Sequence, residues 1–382
     1  MGGTFPLRCA HPLGGAPHPA PLSEAEACAE RPRALVHKVG LMVAETASIA
    51  QALGAFWRGS LGSEYAIVSA TLVRATPLIL TGLAVAIAFR AGVLNIGAEG
   101  QFLAGATAAT VFAGFATTWP PIAQSAIGLP LALCGGAAAG AAWSGIAAWL
   151  RQRFGVLEVI STIMLNFIAV EAVAYLVRGP LQEPSRVYPQ TPSLPSGLHL
   201  ATLVPHSRLH IGFALAVVAA VLAWWMIRET ASGFRLRATG ANALAAASAG
   251  QIDVRAATVR AFLVSGAIAG LAGAVEVTGV TYALYENISP GYGYTAIAVA
   301  LLANLDPLAV IASGVFFGAL EAGAAGMQRD AGVPSVVVSA IEASIILVIL
   351  AAAAVRSRWP APDGTRRLFA PAAGAETRAS TR

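Results

Sequence analysis

The sequence predicts an all-α fold, a polytopic transmembrane helical bundle of about nine to ten spans, and three observations carry that prediction. Only 11% of the 382 residues are charged and 57% are hydrophobic, with a mean hydropathy of +0.69. A soluble domain carries about 25% charge. Apolar segments recur along the chain, most of them near the roughly 20 residues that a helix needs to cross a hydrocarbon core of about 30 Å. The basic residues, all arginine but for Lys38, fall between those segments rather than on one face with aromatics, which suits membrane topology and argues against nucleic-acid binding.

Residues 1–38 are rich in Pro, His and Gly and contain no run long enough for a signal-peptide core. Disorder or an atypical N-terminal segment is expected there. Residues 39–57 have the length of a span, made marginal by Glu45 and Gln51. Clearer apolar segments follow at 69–89, 96–118, 122–150, 157–177, 210–227, 259–280, 291–304, 307–327 and 335–355. The 291–304 piece is short and reads as a broken or tilted helix. Residues 356–382 form a polar tail. The membrane domain is thus 39–355.

Two inter-span segments stand out. Residues 179–209 hold prolines at 180, 184, 189, 192, 195 and 205, which favour a stiff, extended loop. Residues 228–260 carry Arg228, Glu229, Arg235, Arg237, Asp253, Arg255 and Arg260, a polar island that cannot lie in hydrocarbon. Its middle, Ala241 to Gly250, reads as a short Ala-rich helix ended by a glycine. Placing this island in the cytoplasm leaves ten inter-span arginines inside and five outside, and puts residues 179–209 outside. If 39–57 spans, Arg31, Arg33 and Lys38 also return to the cytoplasm. A misassigned start that has lost a more apolar first helix fits the N-terminal composition as well.

Within the spans, Gly136/Gly140, Gly266/Gly270 and Gly314/Gly318 have the spacing that lets helix backbones approach. Asn95, Glu99 and Gln101 open the 96–118 span as a cap or as a polar hinge near a gate. Asn166, near mid-span, and Glu276 are polar groups at membrane depth, suited either to a substrate path or to interhelical bonding. Tyr282, Tyr285, Tyr292 and Tyr294 cluster where interfacial anchoring or stacking on a ring is expected. His199, His206 and His210 are expected to be solvated, and Cys134 to be a small core residue. Cys9, Cys28 and Cys134 have no metal spacing. No catalytic motif and no metal set is present, and Lys38 is followed by Val39 rather than by the Ser/Thr of a phosphate-binding loop.

Three stretches, RAGVLNIGAEGQFLAGA (90–106), GFRLRATGANALAAASAG (233–250) and ISPGYGYTAIAVALLANLDPLAV (288–310), resemble the permease subunits of ABC importers of the branched-chain amino acid and ribose type. Within that family they are most similar to the nucleoside and simple-sugar branch, and GAEGQ at 97–101 to the first of its two permeases. The resemblance spans about residues 60–355 and departs at the N-terminus, where members begin with a strongly apolar helix. It implies a bacterial inner-membrane importer with a second permease, a cytoplasmic ATPase that uses ATP and Mg2+, and an external substrate-binding lipoprotein. No cofactor is expected in this chain. Gly240, Asn242, Ala245 and Gly250, flanked by Arg235 and Arg237, would form the ATPase-docking loop. Asn166, Glu276, Tyr282 and Tyr285 would lie along the substrate path. A stand-alone secondary transporter or channel, with a coupling-ion site at carboxylates such as Glu276 and Glu321, is the alternative.

Overall fold

The computed structural model describes residues 49–248 and 252–334, with isolated positions between 340 and 351. Segment 1–38, Gly250, most of 335–355 and the tail lie outside the described residues. Regular structure among the described residues is helical: α1 (Ile49–Ser60), α2 (Leu72–Arg90), α3 (Ala98–Phe115), α4 (Leu129–Phe154), α5 (Glu158–Arg178) and α6 (Gly212–Glu229), then α7 (Ala231–Ala241), α8 (Ala243–Ser248), α9 (Val254–Glu276), α10 (Tyr292–Leu302) and α11 (Pro307–Ala331). Wider π turns extend α2 and α4 at their starts and α9 at its end.

Among the described residues, six helices are long and apolar enough to cross a membrane: 66–90, 121–154, 158–178, 212–229, 254–281 and 307–331. The other expected segments differ for stated reasons. Only the second half of 39–57 is described, as α1, and 335–355 is mostly outside the description. The segments 96–118 and 291–304 form helices shorter than the apolar runs. α3 starts only at Ala98, and α10 has 11 residues, about 16 Å at 1.5 Å per residue.

The core is built where α9 crosses α3 and α4. A Cβ on Gly270 would stand 2.8 Å from the Gly140 Cα, and one on Gly136 2.9 Å from the Gly105 carbonyl oxygen. Lipid tails are as apolar as leucine, so van der Waals fit between backbones rather than hydrophobic transfer holds such helices together. The windows of 66–90 and 254–281 are accordingly 83% and 72% buried, against 22% and 28% for 121–154 and 158–178. Cys134, expected in the core, is exposed on α4. An all-apolar helix gives hydropathy no way to distinguish its protein face from its outer face.

The arginine-rich island 228–260 is mostly helix rather than loop. The Thr230 hydroxyl accepts from the Gly233 N–H at 3.1 Å and starts α7. Asn242 breaks the helix and its side chain accepts from the Ala245 N–H at 3.0 Å, starting α8. Asp253 caps α9 through the Ala256 N–H at 3.0 Å. Arg235 and Arg237 therefore sit on α7, and Arg255 and Arg260 on the first turns of α9. Gly240 packs on the Arg90–Ala91 backbone at the end of α2, which fixes α7 and α8 at one end of the bundle. The loop 179–211 lies at the opposite end.

Candidate functional site

The starts of α3 and α10 meet inside the bundle. The Asn166 side chain lies eight residues into α5, about 12 Å from that helix's α7-side end. It accepts from the Gly100 N–H at 2.9 Å, donates to the Ile96 carbonyl at 2.9 Å and donates to the Tyr294 hydroxyl at 3.4 Å. Ser265, eleven residues into α9, accepts from the Asn95 amide at 2.9 Å. The start of α3 is thus near mid-depth, and residues 91–97 dip into the bundle from the α7 side.

The polar residues here satisfy one another. Asn95 and Gln101 exchange two amide hydrogen bonds at 3.1 and 2.9 Å. Asn95 does not cap α3; Gly97 holds the cap position, and the Asn95 oxygen accepts from its N–H at 2.9 Å. Glu99 is 4% exposed and stands in the first turn of α3. Its carboxylate accepts from the Gly293 N–H at 2.7 Å, at the start of α10, and from the Ser289 hydroxyl. One carboxylate therefore serves the N-termini of two helices, whose dipoles both favour negative charge. A side chain on Gly293 would collide with the Glu99 backbone, so glycine is required for this approach.

From this junction a cavity of about 640 Å³ reaches toward the end opposite α7. Its lining includes Arg74, Arg208, Glu276, Tyr285, Asn287, Tyr292, Thr295, Glu321 and Gln328. Glu276, the last residue of α9, is 5% exposed, and among the described residues no donor is hydrogen-bonded to its carboxylate. Arg74 and Arg208 face the same space. Of the four residues assigned to a substrate path, Glu276 and Tyr285 line this cavity, and Asn166 and Tyr282 do not. Asn166 is fully occupied in holding α3 to α5. Tyr282 takes a left-handed backbone (φ 56°) and stacks on the His199 ring at 3.8 Å. Arg74, Arg208 and Gln328 were not singled out in the sequence, because isolated arginines near span ends read as topology signals.

The proline-rich loop forms the rim of this region. The Thr191 N–H donates to Leu284 at 2.8 Å, Leu194 to Tyr282 at 2.8 Å and Leu200 to Thr278 at 2.9 Å. His210, expected to be solvated, is 1% exposed. It packs against Gly212 and Gly279, and its Nδ1 accepts from the Gly212 N–H at 3.2 Å. Burial, with Arg208 nearby, pushes its pKa down to about 4.

The α7–α8 end is built differently. Of the residues assigned to docking, Gly240 faces inward onto α2 and Asn242 starts α8, while Ala245 is exposed. Arg235 lines a smaller cavity of about 380 Å³ with Asp253 and Arg260, and Arg237 is exposed. Two apolar side chains that the sequence reading passed over project here, Leu244 at 84% exposure and Phe234 at 59%. Both stand on the exposed side of the short helices α7 and α8, the first of which carries Arg235 and Arg237. Nearby, Glu158 closes the α4–α5 turn through Arg151 at 3.1 Å. No cluster of three or more His, Cys, Asp or Glu able to hold a metal occurs among the described residues.

Comparison with known proteins agrees with this architecture. Residues 67–355 match the family described as branched-chain amino acid transport system / permease component. The chain belongs to this family. It is a multi-pass transport subunit rather than an enzyme. It is 42% identical over 320 residues to the guanosine ABC transporter permease protein NupP of Bacillus subtilis, covering 83% of this chain and 90% of the relative. It is 36% identical over 319 residues to the glucose ABC transporter permease protein TsgB13 of Haloferax volcanii, covering 81% and 82%. NupQ, a second guanosine ABC transporter permease protein of B. subtilis, is 28% identical over 273 residues, covering 66% of this chain and 79% of the relative.

Proposed function

We propose that this permease carries nucleosides or related simple sugars into the cytoplasm of a bacterium, as one of two permeases in an ATP-driven importer of the inner membrane. An external lipoprotein delivers substrate at the rim formed by residues 179–211, and a separate ATPase, using ATP and Mg2+, seats on α7 and α8. The cavity carries this reading. About 640 Å³ lies within the 300–1,000 Å³ of small-molecule sites. Its carboxylates accept from sugar hydroxyls, its arginines and Gln328 donate, and Tyr285 offers a ring face. Neutral, hydroxyl-rich molecules match that mixture of opposite charges better than an anion or cation does. The guanosine and glucose named for the two relatives above both have this character.

Motion at the α7–α8 end reaches the cavity through the Glu99 junction. Gly240 bears on the end of α2, whose Arg90 donates to the Leu305 carbonyl at 3.0 Å just past α10. The start of α10 is bonded to Glu99, and Tyr292 and Thr295 line the cavity floor. The test is uptake of labelled guanosine, ribose and glucose by cells expressing the whole complex, with and without an inactivated ATPase. Uptake that needs the ATPase supports the importer. Uptake that survives without it and collapses with the ion gradient overturns it in favour of a secondary transporter.

A further inference from the structure

The smaller cavity, about 380 Å³ at the α7 end, is remote from the substrate path. Its lining draws on the end of α6, on α7 and on the first turns of α9, and includes Met226, Arg235, Leu236, Asp253, Arg260 and Val264. Three arginines elsewhere at this end have partners: Arg90 donates to the Leu305 carbonyl, Arg151 pairs with Glu158 and Arg228 with Asp306. Among the described residues, Arg235 and Arg260 have neither an ion pair nor a side-chain hydrogen bond. Asp253 shares their cavity without pairing with either, and one of its oxygens accepts from the Ala256 N–H at 3.0 Å. Two guanidiniums against one carboxylate leave this lining with a net charge of +1.

The depth of the cavity is set by α9. With its terminal π turn that helix has 28 residues, about 42 Å, which matches a bilayer counted with its headgroups. Arg260 is six residues past Val254, about 9 Å along the axis, where headgroups give way to hydrocarbon. Beyond it the walls are apolar. Val218, Leu222 and Met226 recur every four residues on α6, and Arg260, Val264 and Ile268 do so on α9. Each set therefore follows one helix face away from α7. Val218 and Leu222 are exposed, and Val264 and Ile268 are partly buried.

We infer that this cavity holds the phosphodiester head of an anionic phospholipid from the leaflet on the α7 side, between Arg235 and Arg260, with the acyl chains along α6 and α9. Guanidinium forks match phosphate oxygens, and basic pockets between membrane helices are where such heads lodge. A singly charged phosphatidylglycerol head neutralises the lining, and the remaining Asp253 oxygen accepts from its glycerol hydroxyls. A zwitterionic phosphatidylethanolamine head leaves the excess charge in place. An acidic side chain of a soluble partner answers the arginines but cannot follow the apolar walls to Val218. The bound lipid bridges α7 to α9 and so braces the helix pair that ends in α8.

The test uses the full chain purified in detergent, followed by native mass spectrometry with added dioleoylphosphatidylglycerol or dioleoylphosphatidylethanolamine. The wild-type protein is expected to retain phosphatidylglycerol at least tenfold better and to gain several degrees in thermal midpoint from it alone. Each arginine facing an anionic head is expected to contribute about fivefold, so Arg235→Gln with Arg260→Gln should lower retention more than tenfold. Arg237→Gln with Arg255→Gln removes the same charge outside the cavity and should leave retention within twofold. Equal retention of the two lipids by the wild-type protein, which needs no variant, would overturn the proposal, as would equal loss in the two double variants. Stabilisation by millimolar inorganic phosphate equal to that by phosphatidylglycerol would make this a free-phosphate site, and loss of the lipid when the ATPase is added would make the occupant a protein side chain; either result overturns the lipid assignment.

Discussion

Glu99 and Glu276 are 4% and 5% exposed in the same apolar bundle, yet they stand in opposite circumstances. Glu99 is bonded by the Gly293 N–H and the Ser289 hydroxyl, and it lies at two helix starts. Glu276 ends its helix facing a cavity with two arginines and no hydrogen bond from a described residue. Burial alone does not separate a carboxylate that ties helices together from one that faces a cavity without a donor. The accounting of its donors does.

Removing the first carboxylate therefore costs stability and removing the second costs transport. Glu99→Leu leaves the α10 start and the Ser289 hydroxyl without their acceptor, at a cost of about 3 kcal/mol. The thermal midpoint in detergent is expected to fall by several degrees, whereas Glu99→Gln, still an acceptor, should lose less than half as much. Equal losses in the two variants would show that charge, not the acceptor, matters.

The far end holds one further buried titratable group that sharpens the contrast. The neutral His210 ring has a pKa near 4, below the unfolded value of about 6.5. The unfolded chain thus binds the proton first, and stability is full above pH 6.5 and lost as pH falls toward 4. At pH 5 the loss is about 2 kcal/mol. A thermal-melt series from pH 7.5 to 5 should show it, and His210→Phe should flatten the slope. An identical slope in that variant would assign the acid sensitivity elsewhere.

Glu276→Gln should cut substrate uptake at least tenfold, about 1.4 kcal/mol, while leaving the thermal midpoint within a degree of wild type. A fall in stability without a matching fall in uptake would reverse the assignment of the two carboxylates. The smallest effect is expected away from both. Leu244→Asp on α8 should reduce ATPase co-purification a few-fold and leave membrane insertion and the far-end cavity unaltered; unchanged co-purification would move docking off that helix.

Much of the fold was legible because hydrocarbon allows few solutions: backbone groups must be satisfied within each segment, so length and hydropathy nearly determine which residues are helical. The 66–90, 158–178 and 307–331 spans were placed to within a few residues for that reason. So was the distinct character of 291–304, too short to cross. The α7–α8 end stood out through its arginines, but they did not show that α7 and α8 are capped helices, or that Gly240 turns inward while Leu244 projects.

By itself, then, the sequence determined an all-helical membrane domain, its polar ends and the polar residues within its spans, because charge and hydropathy act locally. Tertiary structure decided what those polar residues do. Asn166 and Glu276 read alike along the chain, and only the crossing of α3, α5, α9 and α10 gives one a full set of partners and the other an open cavity. Cys134 faces outward and His210 inward for the same reason. Which side of an apolar helix meets protein is settled by the neighbours that pack on it, and those come from distant parts of the chain.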